Sequence, residues 1–557
     1  MQKLANGLSN AATTVRVLGG AGVVRPLSPR KLAGLARVLK DWGTGPAGGF
    51  ATLAVTDPGR IGLVDELGEL TFGEIHRRSN ALARGLRGLG VGEGDSVAVM
   101  CRNHRGFIDA SIAVAKLGAD ILYLNTAFAG PQLVDVLERE TPSAVVHDEE
   151  FTGLLAQADI QQRLIAWTDS DTAEQTIEAL ISGHDDSDLS APERHARIVI
   201  LTSGTTGTPK GAPRHEAGID AAVSLMSRLP LRQGWRTHIA APLFHTWGFA
   251  HLALAMLLGS TVVLRRRFDP EEALRVTQDE RCDSLVVIPV MLQRVLALPE
   301  EKLASYDLSR VQVVAASGSA LPGNLALSWM DHFGDHLYNI YGSTEVAYAS
   351  IATPEDLRAA PSSAGRPPYA TVVKILGDGG HELADGATGR IFVGNSMLFE
   401  GYTGGGSKDM IDGLMSTGDV GRFGEDGRLY VEGRDDEMIV SGGENVFPKE
   451  VEDCIVGHDD VAEVAAIGVD DDDYGTRLRA FVVLRDGSGD LSEDDVKAHV
   501  KANLARYKVP RDVVFLDELP RNATGKILKR DLVDHDEADD GADEGANEGA
   551  ADGADID

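Results

Sequence analysis

Hydrophobic positions along the first two-thirds of the chain switch repeatedly between two periods. Ile75, Leu82, Leu86 and Leu89 recur at helical spacing after Thr71-Phe-Gly, and Gly90 stands where such a helix would stop. Val97-Ala-Val-Met100 then reads as a buried strand. A helical stretch around Ile108, Ile112 and Ala115 follows, and Ile121-Leu-Tyr-Leu124 reads as the next strand. The alternation returns over 240–345, with strand-like Thr261-Val-Val-Leu264, Leu285-Val-Val-Ile288 and Val311-Gln-Val-Val-Ala315. Strand and helix in turn predict an α/β fold with parallel sheet flanked by helices.

Beyond Gly433-Arg-Asp-Asp436 the pattern changes. Short strands are expected at Val464-Ala-Ala-Ile-Gly-Val469, Ala480-Phe-Val-Val-Leu484 and Val513-Val-Phe-Leu516. They surround a helix opening at Ser492, with Asp495 as its capping-box partner and Val496, Val500 and Leu504 facing inward. This is an α+β unit of about a hundred residues, enough for a separate domain. At the other end, Leu32, Leu35, Leu39 and Trp42 share one helical face, which predicts a helix packed on the main body. Residues 1–42 also carry seven basic groups and one acid, Asp41, so weak peripheral contact with an anionic membrane is the alternative. From Asp536 the chain holds only Gly, Ala, Asn, Ile and ten acids, a composition that predicts disorder. The expected organisation is a basic extension (1–45), a large domain (46–435), a small mobile domain (436–535) and an acidic tail (536–557).

At 557 residues the chain exceeds what one core supports. Its formal charge of −32 argues against nucleic acid as a partner. Only 14 of the 53 basic residues are lysine, and high acidity with few lysines points to a salt-rich interior. Cys101, Cys282 and Cys454 lie far apart with no His cluster nearby in sequence, so they read as buried hydrophobes. The apolar run Leu252–Leu264 is broken by Gly259-Ser-Thr261 and is too short to span a bilayer. With no charged-then-apolar leader pattern, a soluble cytoplasmic protein is expected.

The chemistry concentrates in Leu201-Thr-Ser-Gly-Thr-Thr-Gly-Thr-Pro-Lys-Gly-Ala212. Glycines let successive backbone N–H groups converge, and the hydroxyls add donors, so such a loop can surround a polyphosphate. It is not the common P-loop, because Gly211 rather than Ser or Thr follows Lys210. Taken alone, the run also reads as a flexible linker. Further along come Val314-Ala-Ala-Ser-Gly-Ser-Ala-Leu-Pro322, Asn339-Ile-Tyr-Gly-Ser-Thr-Glu345, Ser416-Thr-Gly-Asp-Val-Gly421, Gly433-Arg-Asp-Asp-Glu-Met-Ile-Val-Ser-Gly-Gly-Glu-Asn445 and Pro520-Arg-Asn-Ala-Thr-Gly-Lys-Ile527.

In order and approximate spacing over residues 60 to 533, this set resembles the adenylate-forming superfamily of acyl-CoA synthetases, firefly-type luciferases and peptide-synthetase adenylation domains. The resemblance implies a large N-terminal domain of mixed parallel sheets with a distorted barrel-like subdomain, and a mobile C-terminal domain. It also implies ATP-driven conversion of a carboxylic acid to an acyl-adenylate, then transfer to a thiol such as CoA. By resemblance Thr202, Ser203, Gly204, Thr205, Thr206, Gly207 and Lys210 hold the β- and γ-phosphates. Glu345 holds Mg²⁺, and Thr344 meets the α-phosphate. Ser317, Gly318 and Ser319 line adenine, Tyr341 stacks on it, and Asn339 and Gly342 also bind the nucleotide. Leu321 departs from the family pattern by separating Ala320 from Pro322. Asp419 and Arg434 match the ribose contacts, though alone they also read as a turn cap and a surface pair.

Lys526 matches the catalytic lysine that neutralises charge during adenylation. Asp436 matches the hinge, and Gly442 with Gly443 leaves room for the pantetheine arm of CoA. His245, in Pro242-Leu-Phe-His-Thr-Trp-Gly-Phe249, matches the position gating the acyl site; as a lone histidine it also reads as structural. The passage through Arg265-Arg-Arg-Phe268 is most similar to fatty-acyl-CoA ligases, implying a medium- or long-chain fatty acid. An aryl acid, a carrier-protein thiol, and a non-catalytic nucleotide sensor remain as alternatives.

Overall fold

The computed structural model describes residues 12–24, 26–128, 130–201, 211–214, 218–402, 407–437, 439–441, 444–471, 475–485, 487–488, 491–522 and 525–532. The chain divides into two units: Met1–Thr417 with Arg422–Tyr430, and Gly418–Gly421 with Val431–Asp557.

After a first helical stretch over 12–20, the first unit continues with helices α1 (Pro29–Trp42) and α2 (Pro46–Thr56). Proline occupies an early position in each, where its missing N–H costs no helical bond. The two helices approach closely at Gly34, where a Cβ would stand 2.8 Å from Val55 Cγ1. The leucine stripe expected to be the buried face of α1 is only partly so. Val38 is the buried residue, while Leu32 and Leu39 are exposed. Among the described residues its main packing partner is α2, and one such contact covers a narrower arc than a core seat.

Strands β1 (Ile61–Asp65) and β2 (Gly68–Thr71) form an antiparallel hairpin leading into α3 (Phe72–Gly88). A capping box starts α3: Thr71 Oγ1 accepts from Glu74 N at 3.2 Å, and Glu74 Oε2 accepts from Thr71 N at 2.7 Å. Next come β3 (Ser96–Met100), α4 (Arg105–Lys116), β4 (Asp120–Tyr123), β5 (Ala144–Asp148), β6 (Gln162–Trp167), β7 (Ile198–Leu201) and β8 (Gly211–Arg214). These six strands form one sheet in the order β6-β5-β3-β4-β7-β8, parallel except for β8. Asp120, at the start of β4, holds the entry to β7 by accepting from Arg197 N at 2.9 Å and Arg197 Nη2 at 2.7 Å.

A second sheet has eight strands. It adds β9 (Arg236–Ile239), β10 (Thr261–Val263), β11 (Ser284–Val287), β12 (Val313–Ala316), β13 (Leu337–Tyr341) and β14 (Ser350–Ala352) to the first hairpin. Its order is β14-β13-β12-β11-β9-β10-β1-β2, antiparallel only at its two edges. Helix α5 (Thr246–Leu258) lies between β9 and β10 and ends at Gly259 in left-handed conformation, so the broken apolar run is a helix, a turn and a strand.

The third sheet contains β15 (Val372–Leu376), β16 (Gly389–Gly394), β17 (Met410–Ile411), β18 (Leu414–Phe423) and β19 (Leu429–Arg434). It runs β15-β16-β18-β17 with β19 also beside β18. The expected barrel-like subdomain is thus an open sheet. Among the described residues its edge strands do not pair, and a two-residue strand such as β17 offers little ladder to close a barrel.

In the second unit β20 (Ile439–Ser441) pairs with β21 (Glu444–Val446). Strands β22 (Val461–Asp471), β23 (Gly475–Leu484) and β24 (Asp512–Phe515) form a sheet covered by α6 (Pro448–Ile455) and α7 (Glu493–Asn503). The predicted Ser492–Asp495 capping box is present. The strands expected to be short are 11 and 10 residues in β22 and β23. Their outer ends pair polar residues such as Asp470 with Thr476, where backbone bonding continues after burial has ceased to mark it.

Candidate active site

The two large sheets are tied together where their parallel strands end. Asn103, 5% exposed just beyond β3, donates through Nδ2 to Ile239 O (3.1 Å) and Ala241 O (2.9 Å). Its Oδ1 accepts from Leu243 N at 2.9 Å, beyond the end of β9. Aromatic rings bridge the same region: Phe107 stacks on Tyr123 at 4.8 Å, and Tyr123 meets Phe249 at 5.4 Å. Ligands of open α/β sheets bind outside these carboxyl ends.

Strands β12 and β13 bring two of the motifs together, with Ala316 opposite Asn339. Ser317 then donates through its hydroxyl to Ile340 O at 2.8 Å, so the 317–319 turn lies against the end of β13. After Tyr341 the chain doubles back into β14, pairing Tyr341 with Ser350. A Cβ at Gly342 would stand 2.3 Å from Ala347 O, so only glycine allows this return. Thr344 and Glu345 ride on the loop, where Ser343 Oγ accepts from Glu345 N (3.3 Å) and Val346 N (3.4 Å).

The segment 395–402 fixes this loop from outside. Asn395 Nδ2 donates to Val346 O at 2.9 Å and Tyr348 O at 2.8 Å, and Phe399 N donates to Glu345 O at 2.8 Å. Tyr402 Oη donates to Glu345 Oε1 at 2.8 Å, and its ring meets Phe399 edge-on. Glu345 makes no ion pair among the described residues, so its carboxylate is a half-buried, oriented oxygen donor of the kind Mg²⁺ takes. The residues present fit such a cation.

His245 precedes the first turn of α5, its ring 4.6 Å from Phe244. Burial pushes its imidazole down to about 4, and Nε2 has no hydrogen-bond partner among the described residues. It is therefore a neutral, apolar-sided ring at neutral pH, unsuited to holding a proton. Cys101 and Cys282 are free and buried, as the sequence reading has it, and Cys454 is half-buried; the fold also brings Cys101 beside His104 and Asp148. Their donors are already engaged. His104 Nε2 pairs with Asp148 Oδ1 at 2.7 Å, His104 Nδ1 accepts from Gly106 N at 3.0 Å, and Asp148 Oδ2 accepts from Arg102 N at 2.9 Å.

The second unit holds the other motifs. Arg434 Nη1 lies 3.3 Å from Asp419 Oδ1, so the two expected ribose contacts are neighbours. Lys526 sits in a tight loop closed by Asn522, which accepts from Lys526 N through Oδ1 at 2.9 Å and donates its own N–H to Lys526 O at 2.9 Å. Asp436 falls in the short turn Asp435–Glu437. Lys529, three residues beyond Lys526, ties that turn down by pairing with Glu437 at 3.0 Å and Glu452 at 2.9 Å. Burial opposes the Lys529 charge, and Glu452 and Glu437 outweigh it, raising the ammonium above its usual range.

Residues 202–210, with Gly442 and Gly443, lie outside the described residues. Strands β7 and β8 flank the first of these segments and pair Leu201 with Gly211. Sequence reasoning missed Tyr402, Asn395, Asn522 and Lys529. Asn522 lies within a recognised motif and Lys529 two residues past its end, so a polar residue at either place was the one available signal. Nothing local marks Tyr402 or Asn395, which act over long sequence separations.

The comparisons agree with this geometry. Residues 50–403 match the AMP-binding enzyme family, and 450–526 match the AMP-binding enzyme C-terminal domain. A feruloyl-CoA synthase of Amycolatopsis sp is 33% identical over 467 residues, covering 83% of this chain and 92% of the relative. The long-chain-fatty-acid–CoA ligase FadD13 of Mycobacterium tuberculosis is 28% identical over 468 residues, covering 83% and 92%. The solved o-succinylbenzoate CoA synthetase of Bacillus subtilis, in complex with its acyl-adenylate intermediate, superposes with a TM-score of 0.76 at 27% identity, covering 87% of this chain and 97% of that one. The chain belongs to the AMP-binding enzyme family, as an AMP-forming ligase of the acyl-CoA synthetase superfamily. Among the described residues no helix is long and apolar enough to cross a membrane.

Proposed function

We propose that the protein activates a carboxylic acid with an apolar body and delivers it to CoA. The observation carrying this reading is the β13–β14 return, where Gly342 admits the turn and Tyr402 orients Glu345. A carboxylate oxygen of the acid attacks the α-phosphorus of ATP, and pyrophosphate leaves. The CoA sulfur then attacks the acyl carbon, and AMP leaves. Adenylation brings anion to anion, so alignment and fixed positive charge carry most of the acceleration.

In this reading Thr202–Lys210 cradle the β- and γ-phosphates, Thr344 meets the α-phosphate, and Ser317–Ser319, Asn339 and Tyr341 hold adenine. Asp419 and Arg434 take the ribose. Glu345 would hold Mg²⁺, which would neutralise phosphate charge. Lys526 supplies a cation to the reacting oxygens, and Asn522 sets the loop that presents it. Asp436 is the hinge through which the small domain exchanges Lys526 for Gly442-Gly443 between half-reactions.

Two acid classes have support. A medium- or long-chain fatty acid follows from the 242–268 segment and from FadD13. An aryl acid is supported equally by the feruloyl-CoA synthase and the succinylbenzoate enzyme. The half-buried, neutral His245 beside Phe244 suits either, and it disfavours an acid bearing a second charge there. Purified protein given ATP, MgCl₂ and CoA with ferulate, indoleacetate, decanoate or palmitate should release AMP and form a thioester in equal amounts. AMP release without CoA thioester would overturn the reading.

A further inference from the structure

The N-terminal segment has a charge balance opposite to that of the chain as a whole. Residues 1–56 hold seven basic side chains and one acid, in a protein of formal charge −32. On α1, Leu32 and Leu39 are 51% and 43% exposed, and they lie seven residues, about two turns, apart on one line. Ala33 and Ala36 are exposed beside them, and Arg30, Arg37 and Lys40 extend the same open side. Among the described residues none of these three cations makes an ion pair, whereas Lys31 turns its ammonium to the carbonyl of Thr56 on α2. Val15 and Val24, each 63% exposed, add apolar surface upstream around Arg16.

We propose that this face docks the enzyme on an anionic lipid surface. Exposed leucines enter the headgroup boundary, and each neighbouring cation adds attraction to the negative leaflet. The acidic segment 536–557 is the rival occupant. It offers charge, but Ile556 is its only large apolar residue, so it cannot cover the leucine line. The position also fits the chemistry. Helix α1 packs on α2, and α2 packs on α5, where Gly49 lies against Met256. Helix α5 begins at His245, so the lipid-facing helix is two helices removed from the imidazole assigned to the acid site. The docking does not depend on which acid is used, and binding is read without turnover.

The test is co-sedimentation of the full chain with phosphatidylcholine vesicles, with and without phosphatidylglycerol. Binding should require phosphatidylglycerol and weaken as salt is added. The Arg30→Glu/Arg37→Glu/Lys40→Glu variant and the Leu32→Ser/Leu39→Ser variant should each lose at least about tenfold in partitioning. Both should melt as the parent does and form thioester from a water-soluble acid at the parent rate. Absence of binding to either vesicle, or variants that bind as well as the parent, would overturn the proposal. Binding that appears only after removal of 536–557 would overturn it too, by assigning the patch to the tail.

Discussion

Tyr402 Oη donates to Glu345 Oε1 at 2.8 Å, joining a residue beyond the third sheet's second strand to the loop that leaves β13. The bond fixes the rotamer of a carboxylate whose backbone is already held by Phe399. Hydrogen bonds to charged groups contribute about 1.5–3 kcal/mol. Tyr402→Phe should therefore raise the Mg²⁺ concentration needed for half-maximal pyrophosphate exchange by roughly tenfold or more. An unchanged magnesium titration would show that the tyrosine serves packing alone.

Gly342→Ala should cost activity far more than stability. Its Cβ would meet Ala347 O at 2.3 Å, and backbone cannot yield as a flexible side chain can. The loop bearing Thr344 and Glu345 must shift, and a shift near 1 Å typically costs about a hundredfold in rate. Comparing kcat with the urea midpoint separates the two effects. Equal loss of both would contradict this account.

Lys526→Ala should slow adenylate formation by about 10²–10³-fold, the usual cost of removing one preorganised donor. Thioester formation from supplied acyl-adenylate should stay near the parent rate, because the lysine is assigned to the first half-reaction only. Asn522→Ala should produce a weaker copy of the same pattern, since it removes one of the two loop-closing bonds. Single-turnover assays of each half-reaction distinguish these outcomes from general inactivation.

Acid should destabilise the protein before its carboxylates titrate. Burial lowers His238 and His251 to about 3 and His245 and His336 to about 4. Their unfolded counterparts titrate near 6.5, so the folded state binds fewer protons between these values. This contribution is fully present above about pH 6.5 and declines as pH falls toward 4. Lys116, lowered by burial to about 7, acts in the same direction over the alkaline range. Urea midpoints at pH 7, 6 and 5 should fall in order. His251→Phe should reduce the slope by about one proton.

Raising KCl to molar levels should raise the melting temperature. The net charge of −32 is a repulsion that salt screens. Exposed pairs such as Arg275–Glu272 are screened as well, but such pairs contribute little. A melting temperature independent of salt would remove the case for a salt-adapted protein.

The order of α/β alternation was legible because Val97–Met100 and Ile121–Leu124 sit in a sheet buried on both faces, which writes continuous apolar runs into the chain. The Ser492–Asp495 capping box and the helix start at Thr71 were equally plain, since helix-start signals are local. The ends of β22 and β23 were not, because their last pairs are polar and only backbone bonds define them. The α1 stripe was misread because periodicity reports which side chains share a face, not whether anything covers it. In the candidate site, motifs singled out Ser317, Tyr341 and Glu345. Tyr402 and Asn395 were not, because each reaches Glu345 or Val346 across roughly fifty residues of chain.

Asn103 sets a limit on how the enzyme can adapt to larger acids. One carboxamide satisfies three backbone groups at the crevice between the sheets, so spreading the sheets would strand all three away from water. In the acid site proposed above, room for a longer or bulkier acyl body must come from trimming side chains such as Phe249 or Phe244, with the main chain held at fixed width. Changes in specificity in this scaffold should track residue volume at those positions and leave the spacing of the two sheets untouched.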